Sequence, residues 1–126
     1  MRNYKKFNVW WKSHELVLMI YKDIAPGFPI SEKFSLANQL KRAAYSVPFN
    51  IVEGCGRNTD KDFAHFLDMS LGSAQEVEYC LLLAKDLAFI NDGQYQILYE
   101  KVNGIKAMII NLIKRVRGFQ ALDPNT

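Results

Sequence analysis

Cysteine is scarce in this chain: Cys55 and Cys80 are the two among 126 residues, and they lack CxxC spacing. Two isolated thiols exclude a disulfide framework and a cysteine-rich zinc site, and they suit a reduced, cytoplasmic setting as small packing residues. Histidine is as sparse. Carboxylate-bridged metal sites in helical bundles need a Glu-x-x-His pair on each of two helices. Here Asp62-Phe63-Ala64-His65 is the single approach to that form, and His14 has no acid three residues before it. His65 therefore reads as a partly exposed helix residue and His14 as a core-edge residue beside Trp10. Phosphate-cradling glycine loops are missing, and no histidine stands near Cys55 in sequence to activate it as a nucleophile. The expectation is a non-enzyme with no metal and no cofactor. Long apolar runs are lacking too. Leu16 to Tyr21 and Tyr79 to Ala84 are the longest, far short of the ~20 residues of a membrane span. Arg2, Lys5 and Lys6 are followed by no apolar stretch or cleavage site, which argues against a signal peptide.

What is present is globular composition, 49% apolar and 23% charged, in a length that suits one domain spanning residues 1–126. The net charge of +3 is unevenly placed. Residues 1–57 hold nine basic and four acidic side chains, residues 58–92 two and seven, and residues 93–126 five and two. Such patterning creates a field across a bundle or complementary faces between subunits. The 16 aromatic residues lie mostly on apolar stripes, so core packing explains them better than base stacking.

Strand-type alternation is absent, and four amphipathic segments fill the chain. The periodicity predicts helices over 9–25, 31–54, 59–89 and 92–117, with a tail over 118–126. In the first, Trp10, His14, Val17, Tyr21 and Ile24 form the seam, and Pro26-Gly27-Phe28-Pro29 ends it. The second is expected to start at Ser31, to bend near Ala44 because of Pro48, and to break at Gly54-Cys55-Gly56. Thr59 is the expected cap of the third, whose seam runs Phe63, Leu67, Ser70, Ala74, Val77, Leu81, Ala84 and Ala88. Asp92 is the expected cap of the fourth, with the seam Tyr95, Leu98, Val102, Ile105, Ile109, Leu112 and Val116. Short connections between long helices imply antiparallel neighbours, hence an all-α, up-down-up-down four-helix bundle. Apolar residues beyond the seams, among them Trp11, Leu18, Tyr79, Leu82 and Ile110, imply a patch that a second copy or a partner covers.

Along the second helix, Gln39, Arg42, Ser46, Asn50, Glu53 and Arg57 follow at steps of three and four residues, one residue off the apolar stripe Ala37, Leu40, Ala44, Val47 and Ile51. This polar stripe, with Ser73 and Glu76 on the third helix, reads as a network that fixes packing. Glu53 and Arg57 pair at four residues apart, Arg42 reaches Glu76, and Gly72 lets the two backbones approach. An anion site on Arg42 and Arg57 is the competing reading.

The stretch Gln39 to Arg57, reading QLKRAAYSVPFNIVEGCGR, followed by Phe63, Phe66-Leu67 and Gly72-Ser73-Ala74-Gln75-Glu76, resembles the bacterial four-helix-bundle family named for proteins encoded in intervening sequences of 23S rRNA genes, also called S23 ribosomal protein. The similarity covers roughly residues 5–117 and includes Trp10 and the Phe28-Pro29 turn. It implies a homopentamer. The chain is also similar to the accessory protein of diversity-generating retroelements, a pentameric barrel that binds nucleic acid and the reverse transcriptase. It departs in the bulkier Phe49 and Val52 and in a far lower net charge. The functional expectation is a homo-oligomeric assembly protein whose partner is RNA, DNA or a nucleic-acid enzyme, with Lys101, Lys106, Lys114, Arg115 and Arg117 as nucleic-acid contacts. The alternative is an oligomeric protein scaffold with no nucleic-acid role.

Overall fold

The computed structural model describes residues 1–118, so the tail expected beyond them lies outside the described residues. Four helices account for most of the chain: α1 (Asn8–Met19), α2 (Leu36–Cys55), α3 (Asp60–Asp86) and α4 (Asp92–Val116). No strand occurs among the described residues. Interhelical bonds fix the directions. Gln39 meets Glu76 while Val47 meets Ser70, and Glu78 meets Lys106 while Asp68 meets Arg117. Residue numbers thus run oppositely along α2 and α3, and along α3 and α4. α1 packs on α2 and α4, α2 on α3 and α3 on α4, so the four helices close into a ring around one core. Leu40, Ile51, Phe63, Leu67, Leu81, Leu98 and Ile109 lie fully buried there.

The seams of α2, α3 and α4 are those the periodicity predicts as far as Ala84, with Tyr95 and Val116 half-buried at the ends of α4. The seam of α1 differs. Val9, Ser13, Leu16, Ile20 and Ile24 face the core, whereas Trp10, His14 and Val17 are half-buried and Tyr21 is exposed. Two features obscure this line in the sequence. The run Leu16 to Tyr21 is apolar on every face, so periodicity is weak there. Ser13 occupies a core position because its hydroxyl donates to the Trp10 carbonyl at 2.9 Å, which removes the desolvation cost of a buried hydroxyl. After Met19 the helix widens into a π turn over Ile20–Ile24, with the Ala25 amide donating to the Ile20 carbonyl, and this keeps Ile20, Ile24 and Ala25 all buried.

Helix boundaries also shift. Pro29 is held extended (φ −55°, ψ 143°) and leads into a 3-10 turn at Ile30–Glu32, so α2 begins at Leu36 and not at Ser31. The Glu32 carboxylate accepts from the Leu36 amide at 3.3 Å. α2 then runs unbroken through Pro48. The proline is tolerated beside a buried bond in which the Ser70 hydroxyl donates to the Val47 carbonyl at 2.8 Å. Thr59 caps α3 as expected, accepting from the Asp62 amide at 3.1 Å. The cap of α4 is Asn91 and not Asp92: Asn91 Oδ1 accepts from the Gln94 amide at 2.7 Å and Gln94 Oε1 accepts from the Asn91 amide at 2.8 Å, a closed capping box.

α3 ends at Asp86, short of the expected 89, and Ala88 leaves the helix at φ 63°. The Phe89 amide donates back to the Ala84 carbonyl at 2.8 Å and the Ala88 amide to that of Lys85 at 2.9 Å, the bonding of a Schellman stop. Glycine ordinarily fills this left-handed position, because a Cβ there crowds the following carbonyl. Ala88→Gly is therefore expected to stabilise the fold by about 0.5–1 kcal/mol, read as a higher midpoint in urea denaturation.

Candidate functional site

The most specific part of the sequence folds into the corner where α2 turns into α3. At Gly54 an added Cβ would lie 2.9 Å from Phe63 Cδ1 and 2.9 Å from Phe66 Cβ, so this is where the two backbones press together. Gly72, expected to allow that approach, has nothing within 4 Å of where a Cβ would stand. It lies exposed on α3. Arginines cover the corner. The Arg57 guanidinium sits 4.6 Å above the Phe66 ring and 3.9 Å from the Glu53 carboxylate, and that of Arg2 sits 4.4 Å above Phe63. Arg2 also closes the C-terminal end of α2: its amide donates to the Cys55 carbonyl at 3.1 Å and its guanidinium to the Arg57 carbonyl at 2.9 Å. Cations there complement the negative end of the helix. The Arg2 clamp escaped the sequence reading because the residue lies 58 positions from its acid, Asp60.

The polar stripe of α2 is less buried than its closeness to the seam suggests. Gln39, Arg42, Glu53 and Arg57 are exposed, and Ser46 and Asn50 are half-buried. Glu76 takes its interhelical hydrogen bond from Gln39, and Arg42 makes no ion pair with it. The reason is angular: Gln39 lies on the flank of α2 that faces α3, whereas Arg42 is rotated farther toward solvent. Ser46 and Asn50 turn back on their own helix, donating to the carbonyls of Arg42 and Ser46, each at 2.8 Å. Ser73 is half-buried on α3 with no side-chain hydrogen bond among the described residues. The eight residues thus divide into two contacting pairs, Gln39 with Glu76 and Glu53 with Arg57, and four that bond locally or stand apart.

The expected nucleic-acid contacts divide as well. Lys106 Nζ lies 3.0 Å from Glu78 and bonds Gln75, and Arg117 grips Asp68 with two bonds, so both tie α4 to α3. Lys101 lines a cleft between α1 and α4 with Lys12, Glu15 and Glu100. Lys114 and Arg115 are exposed in the last turns of α4.

With these positions fixed, the relatives are informative. Residues 5–111 match the family described as 23S rRNA-intervening sequence protein. The chain belongs to that family. It is similar to the crystal structure of a protein with unknown function from the S23 ribosomal protein family of Bacteroides thetaiotaomicron VPI-5482, at 28% identity over 84% of this chain and 95% of that one, with a TM-score of 0.78. No curated protein matches it.

In this member of the intervening-sequence family both thiols are sequestered, whereas His14 is half-buried and His65 exposed. Cys55 and Cys80 are buried. Burial, reinforced by the Glu76 carboxylate, pushes the Cys80 thiol up from 9.0 to about 11. Burial also raises Cys55, with Arg2 opposing. His14 stacks on Trp10 at 5.0 Å, and His65 sits edge-on to Phe66 at 5.7 Å. Among the described residues no group of three or more His, Cys, Asp or Glu side chains is placed to hold a metal ion, and no helix is long and apolar enough to cross a membrane.

Gly54→Ala forces a methyl onto two phenylalanines and is expected to cost about 1–3 kcal/mol, measured by urea denaturation. An unchanged midpoint would mean the corner yields. The raised Cys80 value has a signed consequence. The neutral thiol of the native state contributes stability fully below the unfolded thiol's pKa, and that contribution is lost as pH rises through about 11. Between pH 9 and 11 the wild type should lose stability faster than Cys80→Ala, compared as the slope of denaturation midpoint against pH.

Proposed function

We propose that this chain is a non-enzymatic cytoplasmic assembly protein: copies of the bundle associate with one another, five being the number the family resemblance suggests, and the assembly offers a basic surface to RNA, DNA or an enzyme that works on them. The observation that carries self-association is on the connection between α1 and α2, where Ile30 is 91% and Phe34 86% exposed. Phe34 stands beside Leu83 and the exposed Leu87 around one cleft, while Phe49 and Tyr79 are 63% and 62% exposed. Large apolar side chains held out in this way raise the free energy of a lone bundle and lower that of an association that covers them. Two buried free thiols suit a reducing compartment.

The same exposed residues also support a second reading, a scaffold for another protein with no nucleic-acid role. Light scattering decides self-association. The expected mass is several times the 14.5 kDa of one chain, and the double variant Ile30→Ser, Phe34→Ser should lower it while far-UV circular dichroism stays unchanged, because neither side chain contributes to the core. A wild-type mass of one chain would remove the assembly reading.

A further inference from the structure

The seam between α1 and α4 is more sparsely packed than that between α1 and α2, and it opens at the end of the bundle where α1 begins and α4 ends. A cleft of about 380 Å³ lies there. Phe7, Val9, Met108 and Leu112 form an apolar floor, and Asn8, Asn111 and Arg115 form the rim. Met108 also lines a second cleft of about 290 Å³, with Lys12 and Gly104, farther along the same seam. An added Cβ at Gly104 would meet nothing within 4 Å, which leaves the wall open. Asn8 and Asn111 are exposed, and neither amide has a side-chain hydrogen bond among the described residues. Each offers a donor and an acceptor in fixed separation, the pattern that base edges match.

Charge favours an anionic occupant. At this end of the bundle three of four acids are already paired with arginines, Asp60 with Arg2, Glu53 with Arg57 and Asp68 with Arg117, which leaves Asp62 in the first turn of α3. Lys6, Lys12 and Arg115 are exposed with no ion pair among the described residues. The opposite end is balanced, with Lys22, Lys33, Lys41 and Lys85 against Asp23, Glu32, Asp86 and Asp92. Trp11 is 44% exposed on α1, its ring edge-on to Trp10 at 4.9 Å and pinned by a bond from Nε1 to the Lys5 carbonyl at 2.8 Å. It lies three residues from Asn8, on the same side of the helix. In the inner cleft Glu15 and Glu100 stand against Lys12 and Lys101, so the surplus of positive charge ends there and the favourable track covers the space of a few nucleotides.

We propose that this cleft binds single-stranded nucleic acid, one base lying on the apolar floor between Asn8 and Asn111, a neighbouring base against Trp11, and the phosphates on Lys6, Lys12 and Arg115. An open base face is required, so a duplex, whose bases are stacked away, does not fit. An acidic peptide would satisfy the cations but would not use the flat floor with an amide on either side. The inference rests on the nucleic-acid half of the proposed function and assigns it a place and a strand form.

The test is fluorescence anisotropy with a labelled single-stranded RNA 12-mer, the same sequence in DNA, and the corresponding duplex, each at several salt concentrations. The single strands should bind more tightly than the duplex. Asn111→Leu keeps the charge and is exposed, so it should weaken single-strand binding roughly tenfold with the salt slope unchanged. Lys12→Gln with Arg115→Gln should weaken binding and flatten the slope, because fewer counterions are released. Lys33→Gln, at the opposite end, should bind as wild type, and circular dichroism controls for folding. Equal affinity for duplex and single strand, or an Asn111→Leu variant that binds as wild type, would overturn the cleft while leaving a basic nucleic-acid surface standing. Absence of binding to all three probes at low salt would overturn both.

Discussion

Everything at the corner where α2 turns into α3 depends on how closely the two helices approach at Gly54. A side chain there would collide with Phe63 and Phe66. Because it is missing, the Phe63 ring and the Phe66 Cβ lie directly against the α2 backbone, and α3 leaves the corner antiparallel to α2. Phe63 is fully buried as a result, Arg2 and Arg57 have rings to stack on, and farther along Ser70 comes within hydrogen-bond distance of Val47. The residues that make the sequence resemble its family at this corner, Glu53, Gly54, Arg57, Phe63 and Phe66, therefore act together as a packing device. That accounts for their co-occurrence without a catalytic role.

Arginine and lysine divide their duties in a way their chemistry explains. Arg2 and Arg57 stack on aromatic rings, and Arg117 forks onto Asp68, uses that suit a planar, weakly hydrated guanidinium. The lysine ammonium groups reach rings only at longer range, Lys41 at 5.0 Å from the Tyr21 centroid and Lys85 at 4.9 Å from that of Tyr95, and Lys106 bonds Glu78 and Gln75. The modest formal charge of +3 understates the positive field at one end of the bundle, since three acids near that end, Glu53, Asp60 and Asp68, are paired with arginines that belong to the structure.

The sequence made the fold legible wherever one face of a helix was clearly apolar. The lines through Leu40 and Ile51, Leu67 and Leu81, and Leu98 and Ile109 needed nothing beyond periodicity, and Thr59 declared its cap by residue type. The failures have local causes. α1 is apolar on too many sides for a period to be read, and Ser13 is polar in the core because a backbone carbonyl satisfies it. Asn91 and Asp92 are both competent caps, and only the reciprocal bond from Gln94 separates them. Gly72 and Gly54 look alike in sequence; which one touches a neighbour is set by helix rotation, a tertiary quantity. The polar stripe of α2 lies farther from the core than its spacing suggests, since a single residue step rotates a side chain by about 100°.

The two proposed tasks draw on different parts of the surface. The apolar projections Ile30, Phe34 and Leu87 gather where α1 connects to α2 and α3 ends, with Tyr79 and Phe49 farther along the bundle. The surplus cations and the free asparagine amides gather at the other end, where α1 begins and α4 ends. An assembly that buries the first set need not cover the second, because antiparallel helices of this length hold the two ends apart by roughly 30 Å at 1.5 Å per residue. Association would then add copies of the basic end without blocking it, and effective affinity for a strand would rise with the number of ends it reaches.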